Sequence, residues 1–184
     1  MATRQDILDT LLTLGEEKGL ANVSLSDIAG EVGIRKASIY SHFESQNQII
    51  EEAISYASRI LRSRDFNVDF KAKDAHTLLV SLFDSIIRTF AEKPVSSYFS
   101  IVQQGCLYDE VFAEENRQLE SMISVRVRIA LEFCVQRNWL DIKDTDYAAD
   151  LVTSAVIRRI CTVLSSDEEW ETDRLAEGLI TLFS

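Results

Sequence analysis

Ser24-Leu25-Ser26-Asp27-Ile28-Ala29-Gly30-Glu31-Val32-Gly33-Ile34-Arg35-Lys36-Ala37-Ser38-Ile39-Tyr40-Ser41-His42-Phe43 is the stretch that decides how this chain is organised. Ser24 belongs to the residue types whose side-chain oxygen accepts from the free amides at a helix start, and Asp27 suits the positive end of the same helix. Leu25, Ile28, Ala29 and Val32 then recur on one helical stripe. Gly33 ends that helix and Ile34 returns to the core. A short third helix is expected over about residues 35–42, burying Ile39 and Phe43. Two short helices joined by a tight turn containing glycine make a helix-turn-helix. The same corner is also a plain packing unit of helical proteins, so taken alone it names no function.

The chain reads as helical on both sides of this stretch. Ile7, Leu8, Leu11, Leu12 and Leu14 place a first helix over 4–18, with Gly19 suited to a left-handed closing residue. Ser45 opens a fourth helix whose stripe is Ile49, Ile50, Ala53, Ile54, Ala57, Ile60 and Leu61. After a mixed-charge connection over 62–75, further helices are expected over 75–92, 95–107, 109–138, 144–165 and 167–183. Ser166-x-x-Glu169 resembles a capping box for the last of them. One proline (Pro94) and six glycines leave long uninterrupted elements, and no segment alternates as a strand does. The fold class is all-α, with about nine helices.

Composition sets the outer limits. A hydrophobic share of 46% supports a packed core and argues against disorder. No apolar run approaches the roughly 18 residues of a membrane span, and no secretory signal precedes the first helix. Cys106, Cys134 and Cys161 are odd in number, widely spaced and set in apolar stretches, which reads as reduced core thiols of a cytoplasmic protein. The net charge of −11 runs against nucleic-acid binding, which is largely electrostatic. Residues 1–48 themselves carry −3, with Arg4, Lys18, Arg35 and Lys36 against seven acids. Any DNA contact therefore depends on where those cations lie.

The residues resemble the TetR family of bacterial regulators over about residues 3–60. The likeness runs from Thr3-Arg4-x-x-Ile7-Leu8 through Gly19 and Ser24-Leu25-x-Asp27-Ile28-Ala29. It continues through Val32-Gly33-Ile34-x-Lys36-Ala37-Ser38-Ile39-Tyr40-x-His42-Phe43 and ends at Ser45 and Ile49. The Tyr-x-His-Phe ending at fixed distance from Ile-Ala and Gly is its specific part. The resemblance implies an N-terminal helix-turn-helix DNA-binding domain over 1–62 (the motif itself about 24–43), an effector-binding and dimerisation domain over 63–184, and a homodimer. Gln46 stands where the family usually has a lysine; it can donate to phosphate but releases no counterion, so affinity and salt dependence should both be lower. Ala37 stands where the family often has glycine.

Read as a recognition helix, the segment keeps Ile34, Ile39 and Phe43 inward and presents its other face to the major groove. Arg35 and Lys36 then reach base edges, preferably guanine O6 and N7, and the Ala37 methyl suits a thymine methyl. Ser38, Tyr40, Ser41, His42 and Gln46 offer donors to phosphate oxygens, which fix register without reading sequence. The amides near Ser24 and Ser45 suit anions. Singly, Arg35 and Lys36 read as a solvated face, and Tyr40 and Phe43 as core aromatics.

Phe83, Ile87, Phe90, Tyr98, Phe99, Val102, Gln103, Phe112 and Phe133 are candidates to line an effector pocket, although a filled core would use the same residues. Leu151, Ala155, Val156, Leu175, Gly178, Leu179 and Leu182 would build an isologous four-helix dimer interface. Neither His42 nor His76 has metal-ligand spacing to a cysteine or carboxylate, no glycine loop cradles phosphate, and no cofactor or catalytic group is expected. The reading is a ligand-responsive repressor whose partners are duplex operator DNA and an apolar or amphipathic small effector. The alternative is a helical effector-binding or scaffolding protein whose helix-turn-helix no longer binds DNA.

Overall fold

The computed structural model describes residues 3–166 and 171–183. Those residues form nine α-helices and one short 3₁₀ turn at Leu20–Asn22, and no strand. The helices are α1 (Arg4–Lys18), α2 (Leu25–Val32), α3 (Lys36–Ile39), α4 (Gln46–Arg62), α5 (Ala75–Ala91), α6 (Val95–Gly105), α7 (Glu110–Gln136), α8 (Thr145–Ser165) and α9 (Thr172–Phe183). No described helix is long and apolar enough to cross a membrane.

The chain divides into two compact units, the first running up to Arg64 together with Glu92–Ala113, the second comprising Asp65–Ala91 and the chain from Glu114 onward. In the first, α1 is the central element and packs against α2, α4 and α6. It starts with a reciprocal cap: the Thr3 hydroxyl accepts from the Asp6 amide, while the Asp6 carboxylate accepts from the Thr3 amide at 2.7 Å. Ile7, Leu11, Leu12, Ile28, Ile39, Ile49, Ala53 and Leu61 fill the space between the helices. Each fully buried Leu or Ile contributes about 1.5–3 kcal/mol over an exposed one. Helix α6 is held to α1 by polar ties as well: Ser97 donates to the Glu16 carboxylate at 2.7 Å, and the Gln104 amide to the Glu16 carbonyl at 3.3 Å.

The end of α1 departs from expectation. Gly19 has positive φ (80°) but an extended ψ of 138°, so it is not the left-handed closing residue its position suggested. The chain leads straight into the 3₁₀ turn instead, and the Asn22 side chain caps the Lys18 carbonyl at 2.7 Å. The side chain thus satisfies an end carbonyl that a left-handed turn would otherwise have closed.

In the second unit α5 packs against α8 and α9. Leu78, Leu79, Leu82, Phe83, Ile86, Ile87 and Phe90 are all buried, and Phe66 stacks on Phe90 with ring centroids 6.1 Å apart. The last helix begins at Thr172, later than the 167 that the pattern suggested, and Thr172 donates to Asp84 at 2.7 Å. Glu169 of the anticipated capping box lies outside the described residues; Ser166 is the C-cap of α8. The three cysteines are free; Cys134 is wholly buried, and burial pushes its thiol up to about 11.

Candidate nucleic-acid interface

The site is built from the turn that precedes it. Ser24, in extended backbone, places its hydroxyl oxygen 3.2 Å from the Asp27 amide, and the Asp27 carboxylate accepts from both the amide and the hydroxyl of Ser24 at 2.7 Å. Lys18 lies 3.0 Å from the same carboxylate. The Ser24 hydrogen bonds first, and then Lys18, hold the Asp27 carboxyl down at about 2. Helix α2 therefore starts with its own anion in place, at the amides near Ser24 expected to suit a phosphate.

Gly33 closes α2 in the left-handed region (φ 74°, ψ 31°), where a β-carbon would be strained. This lets the Ile34 amide reach back to the Ala29 carbonyl at 2.9 Å and sets the corner angle. Arg35 then caps α3 without a side-chain hydrogen bond. The α-helix proper spans only Lys36–Ile39, shorter than the 35–42 expected. Beyond it the amides of Ser41 and His42 bond three residues back, to Ser38 and Ile39, so the segment finishes as tighter turns.

Side chains separate as a groove-facing segment requires. Ile39 and Phe43 are buried, while Arg35, Lys36, Ala37, Ser38, Tyr40 and Ser41 form one exposed run. Tyr40 is 55% exposed, which removes it from the core, whereas Phe43 is a core residue. His42 is half-buried, and the Ser41 hydroxyl donates to the Ser38 carbonyl at 2.6 Å. Gln46, half-buried at the start of α4, donates its amide to the Val23 carbonyl at 2.7 Å. It pins the strand of chain before α2 to α4 and is not simply a phosphate donor.

Arg4 is the functional residue that sequence reasoning passed over. Its guanidinium sits 4.0 Å above the Phe43 ring, pairs with Glu52 (Nε to Oε2, 3.1 Å) and donates to the His42 carbonyl. It locks α1, the end of the recognition segment and α4 together. Its sequence signals were a lone cation at the start of the first apolar stripe and its place in the stretch that carries the family resemblance. The four cations of residues 1–48 thus fall into two pairs. Arg4 and Lys18 face carboxylates. The side chains of Arg35 and Lys36 are exposed and meet no acid or hydrogen-bond partner among the described residues.

Helix α4 starts differently from α2. Ser45 accepts from the Gln48 amide at 3.2 Å, and the Gln48 side-chain oxygen accepts from the Glu44 amide at 2.7 Å, but the first turn holds no acid. The positive end of α4 is left without a carboxylate of its own.

Against this geometry, residues 7–53 match the bacterial regulatory proteins of the tetR family. Residues 7–53 are a TetR-family N-terminal domain. IcaR of Staphylococcus aureus (strain Newman), a negative transcriptional regulator of the biofilm operon icaADBC, is 43% identical over 51 residues, 28% of this chain and 27% of that protein. The chain thus spans about 27% of the length of the curated relatives it matches. Whole-chain likeness comes from solved structures: a transcriptional regulator from Saccharomonospora viridis in complex with choline (TM-score 0.71, 20% identity, 96% of this chain and 92% of that one) and a TetR transcription regulator from Haloarcula marismortui (TM-score 0.71, 15% identity, 98% and 97%). At those identities they establish the all-helical fold of the TetR-family structures across the chain.

The remaining candidates fall as follows. Phe83, Ile87, Phe90 and Phe133 lie in the second unit, and Tyr98, Phe99, Val102, Gln103 and Phe112 in the first. Phe83, Ile87, Phe90, Tyr98, Phe99 and Val102 are closed-packed core, whereas Gln103, Phe112 and Phe133 are half-buried. Phe133 belongs to an aromatic cluster with Phe70 and Trp139, at centroid distances of 5.2 and 5.8 Å. On α8 and α9, Leu151 (51%), Gly178 and Leu182 (79%) are exposed, and Ala155 and Leu175 are half-buried. Val156 and Leu179 point into the unit's own core, so neither belongs to that outer face.

Proposed function

We propose that the chain is a cytoplasmic, dimeric transcriptional regulator that binds operator DNA through Arg35–Ser41 and represses until a small effector releases it. The observation that carries this reading is the pairing of cations: Arg35 and Lys36 stand exposed at the start of α3 with no partner among the described residues, while Arg4 and Lys18 are tied to carboxylates behind it. Two such segments in a dimer would occupy successive major grooves ~34–36 Å apart. The carboxylate-free start of α4 would receive a phosphate. The exposed residues Leu151, Gly178 and Leu182, with Ala155 and Leu175, supply the face on which two copies would pair. The likeness to IcaR, a negative regulator, supports repression.

Residues 1–62 would carry the DNA contact and 63–184 the effector and dimer functions. An apolar effector would enter among core side chains that are packed closed, so its binding would favour an opened conformation and shift the population away from the DNA-bound one. Fluorescence-anisotropy titration against the DNA upstream of the chain's own gene, at low and moderate salt, tests the reading. Saturable, sequence-dependent binding that Lys36→Ala weakens is the expected result. Equal affinity for unrelated DNA would refute it.

A second reading has its own support. Gln46 replaces the usual lysine and its amide is spent on Val23, and the net charge is −11. Under that reading the helix-turn-helix is a packing unit and the chain binds an effector without DNA. The same titration then shows no sequence preference even at low salt.

A further inference from the structure

Helix α8 carries four charged side chains, Asp146, Asp150, Arg158 and Arg159, and two of them are answered inside the chain. Asp146 meets Arg128 at 3.1 Å, and Arg159 pairs with Glu171. The other two form no ion pair among the described residues. Asp150 accepts only from the Ser124 hydroxyl, at 3.3 Å, and the Arg158 guanidinium meets no acid or hydrogen-bond acceptor there. They cannot answer each other. Side chains that meet along a helix lie three or four positions apart, whereas the rise between Asp150 and Arg158 is about 12 Å.

Both residues are exposed, and they stand on either side of one exposed line of the helix. Tyr147, Leu151, Ser154 and Arg158 recur along that line every three or four positions, and Asp150 lies beside it. Ser154 is midway between the two unanswered charges, four positions after Asp150 and four before Arg158. That spacing is self-complementary. Where α8 lies antiparallel against a second copy with the twofold axis at Ser154, each residue before Ser154 falls opposite the one equally far after it in the other copy. Asp150 then meets the partner's Arg158, and Arg158 the partner's Asp150. The exposed Leu151 falls opposite the partner's Ile157 and the exposed Tyr147 opposite the partner's Cys161, both half-buried and apolar. Neighbouring positions on the line do not match in this way. An axis at Arg158 sets two cations together, and one at Leu151 leaves Asp150 opposite Val152, which is buried.

We propose that two copies of this chain pair through α8 in that single register, with Ser154 on the twofold axis and reciprocal Asp150–Arg158 ion pairs on either side of it. The inference rests on the dimer reading above and adds the contact that aligns the copies. The apolar pairs supply contact area, the small Ser154 side chain lets the helices approach, and the two ion pairs reject other alignments by placing like charges or an unanswered charge in them.

Sedimentation equilibrium of the full chain at low salt, with charge reversals, tests it. The parent should be a dimer. Asp150→Arg and Arg158→Asp should each raise the dimer dissociation constant about tenfold, because each turns two attractions into two repulsions. The double variant, Asp150→Arg with Arg158→Asp, should return to within about threefold of the parent. Diffuse repulsion between two chains of net charge −11 predicts otherwise, since Asp150→Arg would then tighten pairing. Ser154→Cys should give disulfide-linked dimers under mild oxidation, beyond any formed through the three native cysteines. A parent that stays monomeric at about 100 µM overturns the dimer reading and this register together. A dimeric parent that Asp150→Arg leaves as tight, that the double reversal does not restore, or that Ser154→Cys does not crosslink overturns the register alone and leaves the dimer standing.

Discussion

Lys18 and Arg4, behind the helix-turn-helix, and Arg35 and Lys36, in front of it, are the same kind of residue put to opposite uses. The first two are neutralised by Asp27 and Glu52 and hold helices together. The second two touch no acid among the described residues. The two helix starts on either side of α3 repeat the contrast, since Asp27 answers the positive end of α2 while α4 has only the neutral Gln48. A domain of net negative charge can keep two cations free at one surface while its other two are tied to carboxylates behind it.

The contrast predicts that front and back variants fail in different assays. Lys36→Ala should cost DNA binding ~1–3 kcal/mol and relax base preference, with the melting temperature unchanged; a stability loss would show that Lys36 is part of the scaffold. Ser24→Ala should do the reverse, destabilising the fold by about 1 kcal/mol through the lost cap, as read by urea denaturation. The same cap gives a pH signature. Because the folded Asp27 carboxyl is depressed to about 2, its contribution is complete above the ordinary carboxylate range near pH 4 and fades as pH falls toward 2. Asp27→Asn should flatten that part of the acid-denaturation curve. Arg4→Ala should cost somewhat less, about 0.5–1 kcal/mol from the Phe43 contact and the exposed pair with Glu52. The finest test is Gln48→Glu, which gives α4 the carboxylate that α2 already has. Stability should move by only a few tenths of a kcal/mol, because the gain at the helix end opposes repulsion from Glu52. DNA affinity should fall measurably. Unchanged affinity would show that the start of α4 receives no phosphate.

The helices were legible because their signals are local and periodic. Ser24, Gly33 and Ser45 mark boundaries that the structure keeps, and of the expected stripe Ile49, Ala53, Ile54, Ala57 and Leu61 form the buried face of α4, with Ile50 and Ile60 half-buried at its edges. What escaped depended on side chains far apart in the chain. Nothing in the string around Arg4 points to Phe43 or Glu52, 39 and 48 residues away. Gln46 reads as a weakened phosphate contact until its partner, the Val23 carbonyl, is known. Gly19 misled because glycine permits several positive-φ conformations and the Asn22 side chain, not the glycine, completes the cap. The exposed run from Arg35 to Ser41 followed the alternation of apolar and polar residues, whereas the sharing of apolar residues such as Val156 and Leu179 between core and surface did not, since both uses select the same side chains.

Arg4 donating to the His42 carbonyl has a practical corollary for anyone preparing the protein. A peptide fused ahead of Thr3 would emerge beside the recognition segment, where a run of histidines or lysines supplies cations of its own and a bulky partner obstructs a duplex. Affinity handles placed there should be cleaved before any measurement with nucleic acid, or the tag will be assayed in place of the protein.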